Sequence, residues 1–170
     1  MTVTAVTKND RRSGACWFVG AMVGGDDQTD RFIDDGIWEH DCVDSNRMNA
    51  LVRSMQIGDR IAIRSSYFRK HGLTFDTEGR TVSVMALKAT GVIVGNSRDG
   101  DHLKVRWQRV RPVREWYHVS HQPSIWKVIP GGSDADALID FAFENRPQDM
   151  DRLRHALRGR SSFSHGVDGS

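Results

Sequence analysis

The sequence predicts a single α+β domain built on a strongly bent mixed β-sheet, or an open barrel, with helices against its ends. Three observations support this prediction. The chain has 170 residues, a length that suits one domain. Its middle part shows the alternation of apolar and polar residues that is typical of strands joined by hairpins, and helical patterns lie on both sides of it. We assign residues 15–158 to the domain, 1–14 to a disordered N-terminus and 159–170 to a flexible tail.

The first part of the domain predicts one strand followed by two helices. The run "ACWFVGAMV" is short, apolar and rich in β-formers, which indicates a buried strand. A glycine turn follows it, and then a short acidic segment that reads as a helix ending at Gly36. A second helical pattern spans 43–59, with Ser45 as its N-cap and Gly58 as its stop. Trp38 lies between these helices, in what we expect to be a polar loop.

The second part predicts about five strands and then one or two helices. Gly91 interrupts the longest strand pattern, which suggests a bulge or a sharp bend. Asp99-Gly100 is a strong hairpin turn signal. The strands are expected at 59–65, 81–96, 102–110, 111–120 and 123–128. The helices are expected at 133–145 and 148–160.

Positive charge is concentrated in the strand-rich middle of the chain. Residues 60–114 carry 12 Lys and Arg against 4 Asp and Glu, although the whole chain has a net charge of only +2. A basic sheet of this kind can follow a phosphate backbone, or it can be a solvated face that the acidic first third neutralises. The residues expected to contact phosphates are Arg64, Arg69, Lys70, Arg98, Lys104 and Arg106.

Aromatic residues at the ends of predicted elements indicate a base-binding pocket. The chain has five tryptophans, and three of them, Trp17, Trp107 and Trp126, are assigned to the core. Trp38 follows a helix-ending glycine, while Trp116 and Tyr117 are adjacent in a strand and must face opposite sides. Aromatics beside a basic sheet suit the stacking of an unpaired base. The same residues could instead plug the ends of a barrel.

The sequence lacks the common signatures of catalysis, metal binding and membrane insertion. There is no GxSxG, Walker or HExxH motif, and neither cysteine lies in a CxxC pair. We therefore expect no enzymatic activity, no cofactor and no metal. The chain shows no apolar run of about 18 residues and no signal-peptide core, so we expect no membrane partner and a cytoplasmic location.

The order and spacing of several short motifs resemble one known group of domains. The run "CWFVGA…DDQTDRFIDDGIW…MQIGDRIAIRSSYFRK…TVSVMALKATGVIVGN…HLKVRW" is similar to the N-terminal specificity module of McrB-type restriction GTPases. Those modules resemble the EVE and YTH domains of the PUA-like superfamily, and the likeness spans about residues 16–145. It implies a PUA-like fold that recognises a modified base in DNA, with methylation as the expected modification, by flipping the base into an aromatic cage, meaning a pocket with aromatic walls. It also implies a restriction partner of the AAA+ GTPase or nuclease class.

The resemblance further implies which residues form the site. Trp38 falls on the family's cage tryptophan, and Gln28 falls on the position that contacts the base edge. The strand end supplies the next contacts: Ser65 and Ser66 are expected at the base edge, and Tyr67 is expected as a cage wall. The family's further cage aromatic has no counterpart in "GNSRDGDHLK", so Trp116 or Tyr117 is expected to form the second wall. Two alternatives stay open: an RNA-binding PUA-like domain that reads methylated adenine, and an ASCH-type hydrolase of modified nucleosides.

Overall fold

The computed structural model describes residues 14–41, 45–119 and 123–159. Eight strands and four helices occur in this part of the chain. The strands are β1 (Cys16–Val19), β2 (Met22–Val23), β3 (Asp26–Asp27), β4 (Ile37–Glu39), β5 (Arg60–Arg69), β6 (Val82–Gly95), β7 (His102–Tyr117) and β8 (Ile125–Val128). The helices are α1 (Thr29–Asp35), α2 (Asn46–Ser54), α3 (Ser133–Phe143) and α4 (Met150–Gly159).

Six of the strands form one strongly curled mixed sheet in the order β4-β7-β6-β5-β1-β8. The β1–β5 pair is parallel and the other neighbours are antiparallel. Strands β2 and β3 form a separate two-stranded hairpin. The predicted α+β class, with a strongly bent mixed sheet and flanking helices, is therefore confirmed.

The β6–β7 arm is the longest part of the sheet, because β7 runs through the two strands that the sequence predicted separately. Ala89 pairs with Arg109 and Leu87 pairs with Arg114, so four residues of β7 lie opposite the single residue Lys88 of β6. The bulge expected at Gly91 lies elsewhere, since Gly91 pairs regularly with Trp107. The glycine is needed for close approach: a Cβ there would lie 2.6 Å from the carbonyl oxygen of Arg106.

The two faces of the sheet bury separate hydrophobic clusters, as the period of two in a strand requires. Trp17 faces a cluster that includes Phe32 of α1 and Val52 of α2. Its neighbour Phe18 faces the opposite cluster, which includes Leu138 of α3. The curled sheet is thus covered on one side by the first two helices and on the other by α3.

The helix ends follow the sequence signals in most cases. Gly36 ends α1 in the left-handed region at φ 66°, and the Ser45 side chain accepts a hydrogen bond from the amide of Met48 to cap α2. Helix α2 stops at Ser54, before the predicted Gly58, because Met55 is extended. The side-chain amide of Asn96 then donates to the carbonyls of Val52 and Met55, at 2.9 and 2.8 Å, and satisfies that helix end.

No helix in residues 14–41, 45–119 and 123–159 is both long and apolar enough to cross a bilayer. Apart from residues 14 and 159, the predicted N-terminus (1–14) and tail (159–170) lie outside the described residues.

Candidate functional site: an aromatic cleft and exposed basic residues

Trp38 lies in the core, and the prediction that it stands exposed on a loop is wrong. It is the middle residue of β4 and pairs with Leu103 of β7. Only 1% of its surface is exposed, and its indole N–H donates a 2.8 Å hydrogen bond to the carbonyl of Gly20. A base cannot stack on a ring that the protein already covers, so the predicted Trp38 wall is withdrawn. A three-residue strand is too short to show alternation, which is why the sequence suggested a loop.

Two other predicted cage residues line a substantial cleft, which we call the aromatic cleft. It lies between the end of β7, β8, α3 and α4 and has a volume of about 520 Å³. Trp116, Tyr117 and Trp126 contribute its aromatic groups, and Leu138 and Leu153 contribute apolar groups. Trp126 was expected in the core, and its ring does pack on Phe18 at a centroid distance of 5.4 Å while it also lines the cleft. The cleft therefore combines large aromatic surfaces with an apolar lining.

Polar groups also line the aromatic cleft, and several of them are engaged within the protein. The side chain of Gln148 accepts from the backbone N–H of Tyr117 and donates to the backbone carbonyl of the same residue, both at 2.9 Å. Arg152 forms an ion pair with Asp134. The other polar lining residues are His118, Lys127 and Asp149. The cleft is thus suited to a flat ligand with apolar faces and polar edges.

Tyr67 and Arg69 meet Tyr117 at a single carboxylate that the sequence analysis missed. Glu115 accepts hydrogen bonds from the phenol of Tyr67, from Arg69 Nη1 at 2.7 Å, and from the phenol of Tyr117 at 2.7 Å. We call these four residues the Glu115 cluster. Tyr67 does not line the aromatic cleft, and Arg69 is already neutralised, so neither takes its predicted role as cage wall or phosphate contact.

The Glu115 cluster shifts the pKa values of its members in opposite directions. Burial would raise the pKa of Glu115, but the hydrogen bonds from Tyr67, Tyr117 and Arg69 together lower it. Burial and the hydrogen bond to Glu115 raise the pKa of Tyr117 to about 12, and the same causes raise that of Tyr67. The carboxylate is therefore held ionised and both phenols are held neutral.

Arg64 is also wrongly predicted as a phosphate contact, because it is only 9% exposed. Its guanidinium donates to the hydroxyl of Ser66 at 3.1 Å and to the carbonyl of Pro123 at 2.5 Å, and burial lowers its pKa. Ser65 and Ser66 lie beside it on β5 and do not line the aromatic cleft. Ser66 therefore helps to hold Arg64, which contacts the segment that enters β8, and neither serine is placed beside a base in that cleft.

The remaining predicted cations are exposed. Lys104 and Arg106 alternate along β7, next to the partly exposed Val92, and Lys70 directly follows β5. None of these three cations forms an ion pair with another residue of the described ranges. Arg98 is also exposed, although its guanidinium donates a 2.9 Å hydrogen bond to the carbonyl of Arg53. These four side chains remain available to phosphates.

Gln28 lies away from the aromatic cleft, at the start of α1, where its side chain accepts a 2.7 Å hydrogen bond from Arg31 Nε. The residues on either side of it, Asp27 and Thr29, line a second cavity of about 330 Å³. We call this cavity the polar pocket. Its other lining residues are Asp30, Lys88, Arg109, Val110, Arg111 and Val113. Gln28 and the predicted second wall, Trp116 and Tyr117, are therefore not brought together at one cavity.

One group of metal-ligand type occurs in the described parts of the chain: Asp99, Asp101 and His102. Asp99 and Asp101 lie in the exposed β6–β7 turn, and His102 is the first residue of β7. Burial would raise the pKa of Asp99, but hydrogen bonds from the Asp101 and His102 amides and from Ser97 lower it to about 2. This carboxylate shapes the turn, which accounts for the cluster without a metal.

No protein-family model matches this chain, and no curated protein is significantly similar to it.

Proposed function

We propose that this protein is a nucleic-acid-binding module that takes one extruded nucleobase, preferably a modified one, into the aromatic cleft. The observation that carries the proposal is the meeting of Trp116, Tyr117 and Trp126 in one cavity of about 520 Å³. That volume lies within the range of roughly 300–1,000 Å³ that is common for small-ligand sites. The cavity thus has both the size and the aromatic lining that a base requires.

Stacking and apolar burial would supply the binding energy. Stacking of a base on an aromatic side chain is worth about 1–3 kcal/mol. A methyl group on the base would be desolvated against Ala135, Ala137 and Leu138, which also line the cleft. Burying one methyl group contributes about 0.8 kcal/mol, which gives a moderate preference for the modified base.

Exposed cations would hold the backbone of the nucleic acid. Lys70, Arg98, Lys104 and Arg106 are the predicted phosphate contacts that remain solvent-accessible. Contacts to phosphates do not distinguish one base from another, so these side chains would bind modified and plain sequences alike. The preference for a modified base, for DNA over RNA, and the role beside an AAA+ GTPase or nuclease partner rest on the resemblance to McrB-type specificity modules.

A binding role is proposed in place of hydrolysis of a modified nucleoside. The sequence has none of the common catalytic motifs. The phenol of Tyr117, whose pKa is raised to about 12, stays protonated and is not a general base at neutral pH. His118, Asp134 and Asp149 also line the cleft, so an assay of nucleoside turnover decides between the two roles.

A substitution that fills the cleft tests this function without removing any packed aromatic ring. Ala137→Phe places a ring in the aromatic cleft, whereas Ala50→Phe makes the same change at an exposed position of α2. We expect A137F to abolish the preference for oligonucleotides with N6-methyladenine, 5-methylcytosine or 5-hydroxymethylcytosine over plain ones, measured by fluorescence anisotropy, and A50F to retain it. Equal preference in both variants would refute the cleft assignment.

The same titration in DNA and RNA of equal sequence separates the two nucleic acids. Chromatography of modified nucleosides after incubation with the protein tests for turnover. Tighter binding to RNA would favour the methylated-adenine reader, and product formation would favour the hydrolase. Either result would replace the DNA-binding proposal.

A further inference from the structure

The polar pocket has a shape that regular strand pairing would not produce. Because four residues of β7 lie opposite Lys88 alone, the strand bows away from β6 at this point. Val110 and Val113 form an apolar wall there, and Val113 is 52% exposed. Asp27, Thr29 and Asp30 close the pocket from the start of α1.

The charges of the polar pocket are arranged in fixed pairs. Asp27 accepts hydrogen bonds from the backbone N–H of Thr29 at 3.0 Å, from the Thr29 hydroxyl at 2.6 Å and from Lys88 at 2.5 Å. Asp30 contacts the guanidinium of Arg109 at 2.6 Å. The negative charges of Asp27 and Asp30 are therefore each neutralised by a cation. Lys88 and Arg109 are held in position by these contacts and have further N–H groups that can donate.

Arg111 is the exception, because it has no ion-pair or hydrogen-bond partner in the part of the chain that the structure describes. Three cations and two carboxylates line the cavity, so the pocket carries a net charge of +1. This excess charge is located on an exposed guanidinium, the group best suited to bidentate binding of phosphate oxygens.

We propose that the polar pocket binds one phosphodiester of the nucleic-acid backbone, with Arg111 as the principal contact. Lys88 and Arg109 donate their remaining N–H groups to the same phosphate, and the two valines contact the adjoining sugar. The single negative charge of a phosphodiester matches the pocket. A terminal phosphate, with a charge of about −1.5 to −2, would leave part of its charge unbalanced by the pocket. This inference rests on the proposed function and adds a specific backbone site to it.

The polar pocket and the aromatic cleft are built on the same strand but open on different faces of it. Val113 of the pocket and Trp116 of the cleft are three residues apart on β7, and an odd separation places two side chains on opposite faces of a strand. Helix α1 closes the pocket, whereas α3 and α4 bound the cleft. The phosphate held by Arg111 therefore need not be the one that flanks the base in the cleft.

Salt dependence and a charge-sign test distinguish a phosphate site from a structural role. We measure the affinity for a plain oligonucleotide between 50 and 200 mM salt. The salt slope is the slope of the logarithm of the affinity against the logarithm of the salt concentration. One lost phosphate contact lowers its magnitude by about 0.7–0.9. Arg111→Gln should therefore reduce the loss of affinity over this range about threefold. Asp30→Asn raises the pocket charge and should strengthen binding, whereas Arg154→Gln, on the exposed face of α4, should change nothing. An unchanged slope in R111Q, or weaker binding in D30N, would overturn the assignment.

Two further readouts separate this inference from the proposed function. Dimethyl phosphate, a monoanion without a base, should shift the amide resonance of Thr29 in the wild-type protein and not in R111Q. R111Q should also keep the preference for a modified base that A137F loses. If the protein binds dimethyl phosphate but shows no preference for a modified base, the phosphate site is upheld and the base cleft is refuted. If it prefers a modified base but does not bind dimethyl phosphate, the phosphate site alone is refuted.

Discussion

The phenol of Tyr117 donates a 2.7 Å hydrogen bond to the carboxylate of Glu115, two residues earlier on the same strand. Residues two apart on a strand share one face, so β7 itself brings these groups together. Arg69 of β5 reaches the same carboxylate across the sheet at 2.7 Å. The Glu115 cluster thus joins β5 to the end of β7, next to the aromatic cleft.

Replacing Glu115 by Gln should lower the pKa of Tyr117 from about 12, because the charged acceptor that favours the neutral phenol is lost. It should stay above the usual value of about 10, since burial, the largest cause of the shift, remains. The chain has only two tyrosines, so an ultraviolet titration of tyrosinate reads this change directly. Glu144→Gln, which removes a surface partner of Arg60, serves as the control. An unchanged titration in E115Q would contradict the cluster.

The same substitution should change the dependence of stability on pH at both ends of the scale. A raised tyrosine pKa contributes stability that is present below about pH 10 and is lost as the pH rises towards about 12. The lowered pKa of Glu115 contributes stability that is present above its unfolded value of about 4.3 and is lost as the pH falls through its folded value. Urea unfolding across pH should therefore show shallower losses at both extremes in E115Q. Identical profiles for the two proteins would argue against this linkage.

Trp38→Ala should destabilise the protein by about 3–5 kcal/mol, the usual cost of removing a buried tryptophan. The indole is 1% exposed and its N–H bond to Gly20 would also be lost. Urea denaturation measures the effect, with Val113→Ala, at a 52% exposed position, as the control. A loss below about 0.5 kcal/mol would mean that Trp38 is a surface residue after all.

Gly91→Ala should cost about 1–3 kcal/mol, because the added Cβ would lie 2.6 Å from the Arg106 carbonyl oxygen. That oxygen belongs to the paired strand and cannot move without disturbing the sheet. Gly20→Ala is a matched control, since nothing lies within 4 Å of a Cβ built there. Equal stability of the two variants would show that β6 and β7 are further apart at this point.

Replacing Lys104 and Arg106 together by Gln should weaken binding to modified and plain oligonucleotides alike. It should reduce the salt slope by about 1.4–1.8, the value for two phosphate contacts. The ratio of affinities for modified and plain oligonucleotides should stay the same, because phosphate contacts carry no base information. A change in that ratio would indicate base contacts by these side chains.

Arg64→Gln should affect stability and not nucleic-acid binding, in contrast to the double substitution of Lys104 and Arg106. Arg64 is buried and bonded to Pro123 and Ser66, so its loss should lower the free energy of unfolding and leave the salt slope unchanged. A reduced salt slope in R64Q would show that this guanidinium reaches the nucleic acid.

Local patterns predicted most of the elements because the physics that forms them is local. Alternation located β5 and the first part of β7, and Gly36 and Ser45 located helix ends, since each acts on its own neighbours. Strand β4 was missed because its three residues gain their conformation by pairing with β7. Strand β7 was divided at 110/111 because Pro112 suggested a strand start, whereas the irregular pairing opposite Lys88 accommodates it.

The site was harder to predict, because exposure depends on distant partners. Trp116 and Tyr117 were selected for their residue types, and both line the aromatic cleft. Trp126 was predicted to be a core residue. Its ring does pack on Phe18, but it also lines the aromatic cleft. Arg64 is taken out of solvent by contacts that no local pattern encodes. Glu115 lies next to Trp116 in sequence, but its importance follows only from the approach of β5.

Strand β1 lies between β5 and β8, while β4, which follows it by fewer than twenty residues, lies at the opposite edge of the sheet. The three strands between them, β5, β6 and β7, are joined by local turns and can pair without β1 or β4. We expect the segment from Cys16 to Glu39 to pair after this meander has formed, because its strands β1 and β4 add to the two opposite edges of the meander. Its pairing fixes contacts such as Cys16 with Arg60 that are distant in sequence, and such contacts slow folding. The pairing of this segment, more than formation of the meander, should therefore limit the folding rate.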